Sequence, residues 1–117
     1  MRIMTYSIYE IVKIPFPFTD ANSTKIRPAL IISSAEHFNA KIGMSVMVMI
    51  TSFKPEKTLW PTDHIIEDIE NAGLNIPSIV RFKAFTLDHR LILGHVGKLS
   101  ELDQKHVRRK LKDVFSL

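Results

Sequence analysis

Five histidines, His37, His64, His89, His95 and His106, are the side chains of this sequence that titrate near neutrality and could form an acid/base pair. No two have a spacing that recommends them for that work, and none shows the clustered spacing of a zinc site. His64, on a strand that follows the Trp60-Pro61 loop, is the one placed to reach a cleft. There is no cysteine, which excludes thiolate metal sites, cysteine nucleophiles and disulfide scaffolds. The other residues with chemical potential lie at the ends of apolar runs. Arg27 stands directly before Pro28 and the run Ala29-Leu30-Ile31-Ile32. Thr51 and Ser52 close the most apolar segment, Val46-Met47-Val48-Met49-Ile50. Arg81 and Lys83 are two apart, on one face of a strand. A guanidinium can make paired hydrogen bonds to phosphate oxygens and stays charged at any working pH. A hydroxyl at a strand end is rigidly held. Taken alone, each also has an ordinary reading: an arginine at a strand start, a threonine in the strand it favours, two solvated strand residues.

The elements that must position these groups are mostly short strands. Residues 9–14 alternate and stop at Pro15 and Pro17, which have no amide proton for a continuing ladder. Residues 16–25 are rich in turn formers and read as a loop. Continuous apolar runs at 28–33 and 45–52 predict central strands covered on both faces. Residues 34–40 read as a short helical turn, with Asn39 and Gly43 as breakers. Further strands are expected at 64–67, 78–83 and 91–98, where Gly94 and Gly97 suggest a bulge or close packing. Ser100, with Asp103 three residues on, resembles a capping box with the shorter acid. Leu99, Leu102, Val107, Leu111, Val114 and Phe115 then recur at roughly helical spacing. One amphipathic helix of about fifteen residues, ~22 Å long, should cap the strands. The expected class is mainly β, a small curved barrel or sandwich with a C-terminal α-helix.

At 117 residues, 45% hydrophobic and 24% charged, the chain is expected to form one domain over residues 1–117. No apolar stretch approaches the ~20 residues needed to span a bilayer. The N-terminal residues lack the pattern of a secretory leader, so a cytoplasmic protein with no membrane partner is expected. The net charge of +4 has the sign that attracts a phosphate backbone, and gives mild support to a nucleic-acid partner.

The order of short motifs carries more. Residues 9–20, ending Ile14-Pro15-Phe16-Pro17-Phe18-Thr19-Asp20, are followed by Lys25-Ile26-Arg27-Pro28-Ala29-Leu30-Ile31-Ile32-Ser33. Met49-Ile50-Thr51-Ser52, Ala72-Gly73-Leu74, Pro77-Ser78-Ile79-Val80-Arg81, Thr86-Leu87-Asp88 and Gly97-Lys98-Leu99-Ser100 come after in turn. In this order and spacing the sequence resembles the MazF/PemK-like toxins of type II toxin–antitoxin systems, over nearly the whole chain from about Tyr9. The resemblance implies an SH3-like barrel of the kind shared with gyrase-poisoning toxins and a homodimer. It further implies a cognate antitoxin as partner and metal-independent, cofactor-free cleavage of single-stranded RNA.

By that resemblance Arg27 and Thr51 are the catalytic pair, Arg27 stabilising charge on the phosphate and Thr51 donating its hydroxyl to it. Ser52 is the weaker neighbour, expected on the opposite face. Phe16 and Phe18 could stack bases, or pack on their own barrel. Thr19, Asp20 and Asn22 could bond base edges, with Lys25 and His64 as further contacts. Some relatives carry an acidic residue after the arginine matched by Arg81. Here Phe82 and Lys83 follow, so the proton-transfer partner is unassigned, and Lys83 is a candidate phosphate contact. The alternative function is a non-catalytic toxin of the same fold that binds DNA gyrase or another protein.

Overall fold

In the computed structural model, which describes residues 6–16 and 25–117, the chain forms one curled antiparallel sheet of six strands and a C-terminal helix. The strands are β1 (Glu10–Pro15), β2 (Ile26–Ile31), β3 (Met44–Ser52), β4 (His64–Ile65), β5 (Ser78–Asp88) and β6 (Gly94–Lys98), in the spatial order β4-β5-β3-β2-β1-β6. A π-helical turn, Ala35–Asn39, runs into the short α1 (Ala40–Ile42), and α2 is Glu101–Phe115. The expected barrel-type class with a terminal helix is thus observed, as a half-barrel. None of the helices among the described residues is long and apolar enough to cross a membrane.

The central strands are covered on both faces, as their unbroken apolar runs require. Ile11, Leu30, Val48, Ile50 and Val80 point into one cluster, closed by Leu99 and Val107 at the α2 end. Val12, Ile14, Ala29, Ile31 and Met47, of opposite parity, form a second cluster on the other face. β1 stops at Pro15, where the sequence places its first proline. It starts one residue later than expected because Tyr9 adopts φ 71° and turns the chain into the strand.

Four further elements differ from the sequence reading. β2 spans Ile26–Ile31, two residues ahead of the expected 28–33, its start paired with Pro15 of β1. β4 is only two residues long. β5 runs on to Asp88, because its register against β3 shifts by two residues between Val48 and Met49. Phe82 and Lys83 are the extra residues, and a bulge of this kind erases the alternation that marks a strand. β6 begins at Gly94, since a 3₁₀ turn at His89–Leu91 precedes it. The expected bulge near the glycines is present, with the register slipping between Ile11 and Val12 opposite Val96. Gly97 answers to close packing. A Cβ there would lie 2.4 Å from the carbonyl oxygen of Ala72, on the loop that crosses β6.

Asn39 is more than a breaker. It is fully buried, donates to the carbonyls of Tyr6 (2.8 Å) and Ser33 (3.0 Å), and accepts from the Ser33 hydroxyl. It ties the N-terminal segment to the end of β2.

The start of α2 also departs from a simple capping box. Ser100 Oγ accepts from the Asp103 amide at 3.2 Å, as a cap should. The Asp103 carboxylate, however, is buried and turns to other donors. It accepts from His64 Nε2 at 2.8 Å, from the amides of Glu67 (2.9 Å) and Asp68 (3.0 Å), and from Ser100 Oγ (3.1 Å). The core-facing stripe of α2 therefore starts with Asp103 and Val107, and Leu102 is left half exposed.

Burial alone pushes the Asp103 carboxyl up. The bonds from the Glu67 amide, His64, the Asp68 amide and Ser100 together outweigh it and hold the group below its usual value. A depressed carboxyl stabilises the fold above its unfolded pKa of about 4, and that contribution is lost as pH falls through the lower folded value. Replacing Asp103 by Asn should therefore lower the urea midpoint at neutral pH, by about 2–4 kcal/mol of stability. The acid-side slope of stability should flatten below about pH 4 in the same variant. An unchanged midpoint at pH 7 would show that this carboxylate does not hold the helix to the sheet.

Candidate active site

The site opens where β2 and β3 part. Their pairing covers Ala29–Met49, Leu30–Val48 and Ile31–Met47 and stops there. Pro28 brings no amide proton for a further rung. On one side β2 continues to Arg27 and Ile26, held by β1 through the pairs Ile14–Arg27 and Pro15–Ile26. On the other, β3 continues through Thr51 and Ser52, held by β5 through Thr51–Ile79 and Ser52–Ser78. Arg27 and Thr51 thus face one hollow from two separately anchored strand ends.

That hollow has a volume of about 270 Å³. Phe16 and Arg27 line it from the β1–β2 side, Met49, Ile50, Thr51 and Ser52 from β3, and Arg81 and Lys83 from β5. Lys57, on the loop after β3, completes the wall. Among the described residues, four cationic side chains and no carboxylate line it. Two further hollows adjoin it. Arg27 is shared by all three, and Thr51 and Ser52 by the main hollow and one of the other two. One adjoining hollow is largely apolar and includes Ile26, Pro28, Leu74 and Val96.

Six of the twelve site residues expected from the sequence come together here: Arg27, Thr51, Ser52, Arg81, Lys83 and Phe16. Arg27 is exposed, with its guanidinium 5.8 Å from the centre of the Phe16 ring. Among the described residues it makes no ion pair. Ser52, the last residue of β3, also lines the hollow beside Thr51. Arg81 and Lys83 both reach it from β5, while Phe82 between them packs against the core.

Arg81 has a carboxylate partner after all, and it comes from another element. Asp63 lies just before β4 and receives Arg81 Nε at 3.1 Å and Nη2 at 2.7 Å. The Trp60 amide also donates to Asp63, at 2.8 Å, and the Trp60 ring lies 4.6 Å from the guanidinium carbon. Arg81 Nη2 further donates to the Thr58 carbonyl. The hydrogen bonds from Arg81 to Asp63 raise the guanidinium's pKa above its ordinary value. Arg81 is therefore fixed at the rim, with Nη1 as its remaining donor group among the described contacts.

Other expected contacts are placed differently. His64 is buried against Asp103 and stacked on His106, ring centres 5.3 Å apart, and does not line the hollow. Lys25 lies at the base of the loop after β1, where its carbonyl accepts from the Phe16 amide at 2.7 Å, and is exposed outside the lining. Phe18, Thr19, Asp20 and Asn22 lie outside the described residues. No histidine is among the lining side chains; His95 pairs with Glu10 at 3.2 Å, and His89 bonds Ser45 at 2.7 Å.

One residue escaped the sequence reading. Lys57 Nζ donates to Thr51 Oγ1 at 3.0 Å and to the Ser52 carbonyl at 2.8 Å. A lone lysine in a loop with prolines carries no local signal of this. Its only sequence-level cue is that it is six residues from a strand-end threonine.

No curated protein sequence matches this one closely enough to count as a relative. Solved structures do match. A chain of the MazE–MazF complex (form III) from Deinococcus radiodurans aligns with TM-score 0.75 and 18% identity, covering 97% of this chain and 99% of that one. The Mycobacterium tuberculosis toxin MazF-mt6 aligns with TM-score 0.70 and 21% identity, over 92% and 97%. A mycobacterial endoribonuclease in complex with its cognate antitoxin aligns with TM-score 0.72 and 12% identity, over 96% of each chain. At these identities the likeness speaks for the fold. The sequence itself matches the family profile of PemK-like, MazF-like toxins over residues 8–115, from the turn before β1 to the end of α2. The chain belongs to the PemK-like, MazF-like toxins of type II toxin–antitoxin systems.

Proposed function

We propose that the chain cuts single-stranded RNA without a metal, as the toxin partner of a cognate antitoxin. The observation that carries this reading is the hollow between the ends of β2 and β3. It gathers Arg27, Lys57, Arg81 and Lys83 around the Thr51 hydroxyl, with no carboxylate in its wall among the described residues. Arg81 is already paired with Asp63, and the positive charge that remains favours an anionic backbone threaded through the hollow.

RNA carries its own nucleophile. The neighbouring 2′-hydroxyl attacks phosphorus, the bond to the 5′-oxygen breaks, and the products are a 2′,3′-cyclic phosphate and a 5′-hydroxyl. Charge builds on the non-bridging oxygens, and fixed donors that meet it there lower the barrier. Arg27 supplies a planar, permanently charged donor from β2, and Thr51 a hydroxyl from β3. Their separate anchoring holds the phosphate between two rigid strand ends. A guanidinium is unsuited to proton transfer at neutral pH, so neither arginine of the hollow is a candidate acid or base. Asp63 is already committed to Arg81 and the Trp60 amide. Phe16 and the apolar hollow beyond Arg27 offer surfaces on which bases can stack.

Purified protein incubated with a long single-stranded RNA in excess EDTA should give discrete cuts with cyclic-phosphate ends. Arg27→Ala should slow cutting by about 10²–10³-fold and Thr51→Ala by roughly 10²-fold. Arg27→Lys should recover little, since a lysine cannot make the paired contact. Full activity in a folded Arg27→Ala protein would overturn the assignment. A protein that cuts no RNA of varied sequence yet inhibits DNA gyrase would replace it with the non-catalytic reading.

The phosphate contacts can be counted separately from the chemistry. For an uncleavable 2′-O-methyl RNA, Lys83→Ala should flatten the slope of log affinity against log salt by about 0.7, the value of one phosphate contact on a single strand. An unchanged slope would remove Lys83 from the binding surface. Assembly as a homodimer is proposed from the family, and Met47 to Ile50 are spent on the chain's own core. A monomer at micromolar concentration in light scattering would refute the dimer.

A further inference from the structure

We propose that Lys57 is a positioning residue that aims the Thr51 hydroxyl proton at the substrate phosphate; this rests on the RNA-cutting reading above. The turn closed by the Lys57 amide on the Lys54 carbonyl (2.9 Å) folds the loop after β3 back over the strand end. There the ammonium bridges the Thr51 hydroxyl (3.0 Å) and the Ser52 carbonyl (2.8 Å).

The direction of the first bond is not open to choice. An ammonium has three donors and no acceptor, so Thr51 Oγ1 is the acceptor. That occupies one lone pair and forbids the hydroxyl proton from pointing toward Lys57. Among the described residues Oγ1 has no other hydrogen-bond partner, so its proton remains for a group entering the hollow. Threonine is stiff about χ1, and the bond to Lys57 adds a second restraint on where its oxygen lies. A bond from a cation also polarises the O–H and makes it a stronger donor. Free rotation of the hydroxyl, which would otherwise have to be arrested in each turnover, is arrested beforehand. The bond from Lys57 to the Ser52 carbonyl ties the same ammonium to the last residue of β3, so the lysine cannot swing away without breaking two bonds.

A residue acting this way should change the chemical step more than binding. The test is steady-state cleavage of a short chimeric oligonucleotide carrying one cut site, with wild type, Lys57→Met, Thr51→Val and the double variant, each checked by thermal melting. Lys57→Met should lower kcat about tenfold, the scale of one charge-assisted hydrogen bond, with KM within about twofold. The double variant should be no slower than Thr51→Val alone, because the lysine has nothing left to orient. Wild-type kcat in Lys57→Met overturns the proposal. So does a raised KM at unchanged kcat, which would make Lys57 a plain phosphate contact. Losses that multiply in the double variant overturn it too, since the two residues would then act independently. If Lys57→Met melts well below wild type, Lys57→Leu, which likewise removes the donor, serves in its place with the same criteria. A wild-type protein that cuts nothing overturns this proposal together with the reading it rests on, whereas active wild type with fully active Lys57 variants overturns this one alone.

Discussion

The parting of β2 and β3 beyond the Ala29–Met49 pair is the constraint on which the site depends. Two strands that continued to pair would close over the space now lined by Arg27 and Thr51. Once they part, each needs another neighbour, and the sheet supplies one: β1 holds the free end of β2, and β5 holds the free end of β3. Both ends stay as rigid as interior strands while facing each other across open space. Pro28 sits at the point of divergence, adjacent to Arg27, so the residue that blocks the ladder and the residue that handles charge are neighbours in sequence.

Around that opening the rest of the molecule supplies charge and restrains it. Three of the cations in the wall are held, each in a different way. Arg27 rests against the Phe16 ring, Arg81 is clamped by Asp63 and Trp60, and Lys57 bridges two residues of β3. Anchoring of this kind matters because a like-charged cluster left free would spread into solvent. The far side of the fold does equivalent work for α2. There Asp103 collects a histidine, a serine and two backbone amides, fastening the helix to the segment after β4. The two networks use neighbouring parts of one stretch, with Lys57 and Asp63 serving the site and His64, Glu67 and Asp68 serving the helix.

How much of this could be read from the sequence follows from what each feature costs locally. Both apolar runs and the Arg27-Pro28 step were legible, because burial on two faces and a missing amide proton leave marks at the residues concerned. Ser100 and Asp103 were legible as a helix start. The destination of the Asp103 carboxylate was not, since three of its four partners lie 35 to 39 residues away. The same reason hid Asp63 as the partner of Arg81, 18 residues off, and led His64 to be placed near the cleft. In the sequence β5 reads as ending at Lys83, because its register against β3 slips there and the alternation does not carry on in step beyond it. Lys57 was missed because a loop lysine owes its position to a turn, and a turn of this sort has no signature in the lysine itself.

In the proposed reaction the scissile phosphate lies between Arg27 and Thr51. A crystal structure of the wild-type protein bound to a single-stranded RNA with a 2′-O-methyl group at the cut site tests it most directly. The phosphate should be found with non-bridging oxygens within about 3 Å of the Arg27 guanidinium and of Thr51 Oγ1, with the strand passing through the hollow. RNA seated elsewhere on the sheet or along α2, with no phosphate in that hollow, would contradict it.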